Sequence, residues 1–115
     1  MTIKSKMTEK TLQEIEKITG LKLTLGNMIL SIRQADEISQ VEFAKTLGIT
    51  KQHLCDIERG RKPVSPRLAA QYAEILGYSK EQFIRLALQD MLDRDNLNVQ
   101  VDIHRKTSPR IKKAA

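Results

Sequence analysis

ISQVEFAKTLGITKQHLCDIERG, residues Ile38–Gly60, is the stretch on which the reading of this chain turns. Ser39 opens a helix, and Glu42, three residues on, completes a capping box. Phe43, Ala44 and Leu47 recur at helical spacing and form the inner face of a helix over 40–47. Gly48 takes the left-handed position that ends it. Thr50 caps a second helix, predicted over 51–59, with Leu54 and Ile57 inward and Gly60 at its end. A tight turn holds two such helices at a steep angle, so the first lies across the second and the second protrudes. Its outward residues are Lys51, Gln52, His53, Cys55, Asp56 and Arg59, a row of donors and acceptors, and the basic Arg61 and Lys62 follow.

Outward from this pair the chain reads as further capped helices. Thr24 caps a helix over 25–36 with Leu25, Met28, Ile29 and Ile32 inward. Pro66 suits the first turn of a helix over 66–76, with Ala69, Tyr72, Ala73 and Leu76 inward and Gly77 as its stop. Ser79 with Gln82 starts another over 80–93. Its apolar residues, from Phe83 to Leu92, span an arc too wide for one contact face. Leu12, Ile15 and Ile18 predict an N-terminal helix from Glu9 to Thr19, stopped by Gly20. After Asn96 the period changes to two: Leu97, Val99, Val101 and Ile103 alternate with polar residues, which predicts a short strand in need of a partner. From His104 the tail is basic and reads as disordered. The expectation is an all-α domain of five helices over 24–93, an N-terminal extension over 1–23, and a strand and tail over 94–115.

Composition narrows the function classes. The 115 residues suit one small domain, and with no Trp and only four Phe and Tyr its core must be mainly aliphatic. No apolar run approaches the ~18 residues of a membrane helix. The first ten residues have no signal-peptide core, and the lone Cys55 has no disulfide partner, so a cytoplasmic protein is expected. Net charge is +6, but its placement matters more. Residues 51–67 net +3, residues 68–103 net −3, and residues 104–115 net +5. The island at 51–67 is informative because it falls on the helix pair.

Catalysis finds no support: there is no Ser/His/Asp or Cys/His order, and no Gly-rich phosphate loop. A zinc site needs three or four converging ligands, and His53, His104 and Cys55 do not supply them, so no metal and no cofactor are expected. Asp90, Asp93 and Asp95 read as a solvated helix end. Cys55 reads as a small inert side chain, with a redox-sensing thiol as the alternative.

The outward face of 51–59 has the chemistry of base edges. The major groove of double-stranded DNA admits one α-helix. Gln52 can pair bidentately with adenine, Lys51 can donate to guanine, and Asp56 can accept from cytosine. The stretch from Ser39-Gln40 through Ala44, Leu47-Gly48-Ile49-Thr50, Leu54, Ile57-Glu58 and Gly60 to Ala73 and Leu76-Gly77 resembles the phage repressor and Cro-like (XRE) helix-turn-helix family. The resemblance covers roughly Leu25–Phe83 and implies a repressor-like five-helix domain. It further implies that Lys51, Gln52 and Asp56, with Cys55 at an occasional position, read bases. It implies that Gln40, Thr50, His53, Arg59, Arg61 and Lys62 contact phosphates, with Gln40 also bracing Gln52. Arg33 and Glu58 match a buried ion pair tying the first core helix to the reading helix.

One reading helix is a small interface, so a homodimer on a palindromic operator is expected, with half-sites one turn, ~34 Å, apart. Phe83, Leu86, Leu88, Met91, Val99 and Val101 are the expected dimer surface, since surplus apolar surface implies a partner. The role that fits is a repressor of the chain's own operon. The alternative is an antitoxin-like protein whose segment 68–103 binds and neutralises a basic toxin. RNA binding is disfavoured, because the outward face lacks aromatics to stack unpaired bases.

Overall fold

A computed structural model describes residues 23–106. The expected N-terminal helix and the end of the basic tail lie outside them. The described residues form five helices: α1 (Leu25–Ala35), α2 (Gln40–Leu47), α3 (Lys51–Glu58), α4 (Pro66–Leu76) and α5 (Lys80–Arg94). Side-chain oxygens set every start. Thr24, Ser39, Thr50, Ser65 and Ser79 each accept the backbone N–H three residues on, at 3.0–3.2 Å, satisfying a donor that the first turn leaves orphaned.

The ends share one device. In each helix the two residues beyond the last turn donate back to its final carbonyls, as Gly48 N–H does to Lys45 and Ile49 N–H to Ala44. The pattern needs a left-handed residue after the helix. Gly48, Gly60 and Gly77 fill that position in α2, α3 and α4, and Glu37 (φ 54°) and Asn96 (φ 58°) fill it after α1 and α5.

The core is one cluster drawn from all five helices, centred on Met28, Ile29, Leu54, Phe43, Phe83 and Leu86. α4 and α5 form the most extensive pair; α3 packs on α2 and on α1, and α1 on α5. Gly26 is where α1 meets the end of α3. A Cβ there would run into the Ile57 carbonyl oxygen, so only glycine lets the two backbones approach this closely. Among the described residues no helix is long and apolar enough to cross a membrane.

Two expectations are corrected. Phe83 and Leu86 are 0% and 1% exposed, so neither is available to a second subunit. The wide apolar arc of α5 is used within the chain, because α5 packs on both α4 and α1. Of the expected dimer residues, Met91 and Val99 are exposed and Leu88 and Val101 half-buried. The predicted strand over 97–103 is not formed: residues 97–106 carry no strand or helix. No strand lies beside them among the described residues. Instead the buried Gln89 side chain donates Nε2 to the Val99 carbonyl at 2.8 Å and accepts the Val101 N–H at 2.9 Å. One side-chain amide thus does for this segment what one residue of a neighbouring strand would do. The start of the basic tail is also held, since Arg105 lies on Glu81 at 3.0 Å.

Candidate nucleic-acid interface

α3 is presented by its neighbours. Leu54 and Ile57 are 0% and 2% exposed and anchor one face in the core. Lys51 and Gln52 are exposed on the opposite side, and His53, Cys55 and Asp56 are half-buried at its flanks. The Gly48 turn (φ 75°) brings α2 across α3 within a few residues of Thr50.

A charged network fixes the far end of α3. The Glu58 carboxylate accepts from Arg33 Nε at 2.7 Å, from Arg33 Nη2 at 3.2 Å and from Gln40 Nε2 at 2.9 Å. Arg33 Nη1 donates to the Ile38 carbonyl at 3.0 Å. The Arg33 and Glu58 side chains are 14% and 3% exposed, so the bidentate pair is shielded from water. It joins α1, α2 and α3 at one point and sets the angle at which α3 stands out.

A second network lies on the outward face. Asp56 Oδ1 accepts from Gln52 Nε2 at 3.0 Å and from Arg61 Nε and Nη2 at 3.1 and 2.9 Å. Arg61 Nη2 also lies 3.8 Å from Cys55 Sγ. The Arg61 guanidinium beside Asp56 holds its carboxyl below the usual value, with a smaller pull from Gln52. Residues 59–62 are exposed, so Arg59 and Lys62 put cations at the rim of this face.

Residues 29–83 match the family described as helix-turn-helix. They are a helix-turn-helix domain of the Cro-like, XRE kind. This is a family of DNA-binding regulators. No curated protein and no solved structure matches the chain significantly.

Within the helix-turn-helix, α2 and α3 are the helix pair. The structure places Lys51, Gln52, Cys55 and Asp56 along α3, with Thr50 at its cap and Arg59, Arg61 and Lys62 past its end. The Thr50 hydroxyl accepts the His53 N–H, and its own proton is left to donate. Gln40 bonds to Glu58 and does not brace Gln52, whose amide instead meets Asp56. Sequence reasoning had no signal for the Arg61–Asp56 contact. Its five-residue spacing spans a helix end, where the turn at Gly60 folds Arg61 back over the last turn.

Proposed function

We propose that this chain is a cytoplasmic, sequence-specific transcriptional regulator that binds a palindromic operator as a homodimer and represses its own gene. The observation that carries the reading is the two-faced α3. Leu54 and Ile57 fix it to the core, and Lys51 and Gln52 stand clear on its other side with groups that match base edges. The buried Arg33–Glu58–Gln40 network supports it, since a helix that reads bases must be held in one orientation. In this reading Lys51 and Gln52 enter the major groove with Cys55 beside them. Thr50, His53, Arg59, Lys62 and the second amide proton of Gln40 meet phosphates, which position the protein without carrying sequence information.

The test is fluorescence anisotropy of the purified protein on the DNA upstream of its own gene and on a scrambled duplex, at two salt concentrations. Base readout requires the native duplex to bind more tightly and to keep its advantage at high salt, where phosphate contacts weaken. Equal binding that fades with salt would remove the operator reading. It would turn attention to an antitoxin-like role, with residues 68–103 meeting a basic partner.

A further inference from the structure

Arg61 follows the end of α3 and is drawn back onto it. Its side chain turns back along α3 and lies on Asp56, one helical turn beyond Gln52 on the same outward face. Gln52, Asp56 and Arg61 therefore form a continuous row, each joined to the next through Asp56 Oδ1. An isolated carboxylate on this face would repel phosphates, and the guanidinium cancels that charge. All three donors meet Oδ1, so that oxygen is spent on holding Gln52 and Arg61 together. The Nε and Nη2 side of the guanidinium is committed to Asp56, and Nη2 touches only the weak thiol acceptor of Cys55 besides. Nη1 has no partner among the described residues, and the Arg61 side chain is 53% exposed. The open end of the guanidinium is a fixed two-donor fork, complementary to the O6 and N7 acceptors of guanine.

We propose that Arg61 reads a guanine at the outer end of each half-site, and that Asp56 is a positioning residue that aims it. Gln52 and Arg61 then specify two neighbouring positions, and Asp56, bonded to both, locks their relative placement. The inference rests on α3 being the groove-reading helix.

Selection of bound sites from a randomised duplex pool tests it, with the full chain and its Arg61→Ala, Arg61→Lys and Asp56→Ala variants. The wild type should select guanine at one position flanking the Gln52 site. Arg61→Ala should lose about tenfold or more in preference at that position and leave the others intact. Arg61→Lys, which keeps the charge but not the fork, should lose the same preference while retaining binding to random DNA. Asp56→Ala should weaken preference at that same guanine, and adding it to Arg61→Ala should change that position no further. Three results would overturn the proposal. One is Arg61→Ala weakening every duplex alike and lowering the salt slope by about one unit, the mark of a phosphate contact. Another is Arg61→Lys keeping the guanine preference. The third is Asp56→Ala relaxing a separate cytosine position. A wild type that selects no sequence at all would instead remove the groove-reading role of α3, and this inference with it.

Discussion

Glu58 is the residue on which the orientation of α3 depends. Its carboxylate is nearly enclosed and takes two bonds from Arg33 and one from Gln40. Removing one partner of such a pair leaves an uncompensated charge, which costs about 3–5 kcal/mol. Glu58→Ala should therefore lower the stability measured in urea by about that amount. Replacing both charges by apolar side chains of similar volume, Arg33→Met with Glu58→Met, should cost less than the single change. A single variant as stable as wild type would show that the pair does not hold the fold. Asp56 gives a second residue-level test. Its folded pKa is depressed by Arg61, so the Asp56–Arg61 link stabilises above the ordinary carboxylate value of 3.8 and is lost as pH falls through the depressed value. The link should therefore persist through the neutral and mildly acidic range. Carbon NMR should place the Asp56 midpoint below 3.8, and Arg61→Ala should move it upward. An unmoved midpoint would mean that Arg61 does not sit on Asp56 in solution.

The elements were legible where their ends carry a chemical mark. Ser39, Thr50, Ser79 and Pro66 mark starts, and Gly48, Gly60 and Gly77 mark stops, so α2 to α5 begin where sequence reasoning puts them. Glu37 carries no such mark, yet it takes the same left-handed position after α1; the predicted ends of α1 and α3 each overrun by one residue and that of α5 falls one short. A side chain at that position costs about 1–2 kcal/mol, more than the added chain entropy of glycine. Glu37→Gly should accordingly raise the thermal midpoint by a few degrees, a net gain of about 0.5–1 kcal/mol. A lowered midpoint would mean that Glu37 makes compensating contacts. Gly26 shows the opposite limit. In sequence it is only a poor helix former near the start of α1, and alanine there should help by about 1 kcal/mol. The structure reverses the sign, because the Cβ would strike the Ile57 carbonyl. Gly26→Ala should destabilise by about 1–3 kcal/mol, as overpacking does, and any stabilisation would show that α1 and α3 separate easily. The site was legible in the same uneven way. The outward polar face of α3 follows from periodicity. The Asp56–Arg61 contact and the Gln89 clamp do not, because both depend on how a loop folds back after a helix.

At the scale of the whole molecule, the alternation over 97–103 predicts half of a strand pair, and a single chain does not complete it. Gln89 pairs with Val99 and Val101 on one edge. In an extended chain the Gln100 amide then faces the other edge, where a second chain could bond. Leu97 and Val99, 49% and 55% exposed, are the apolar side chains available to such a contact, with Met91 of α5 at 46%. Burying them against a second copy would join two reading helices, and the second half-site would then be met at an effective concentration in the millimolar range. Leu97→Asp with Val99→Asp puts charges where that contact would bury apolar side chains, which opposes pairing. In light scattering the full chain should have the mass of a dimer and this variant that of a monomer, with its helical circular dichroism unchanged. Its affinity for a palindrome should fall to that for a single half-site, while its base preferences at each position stay those of wild type, because α3 is untouched. A variant that remains dimeric would exclude the 97–103 segment and leave Met91 and the neighbouring surface of α5 as the place where two copies meet.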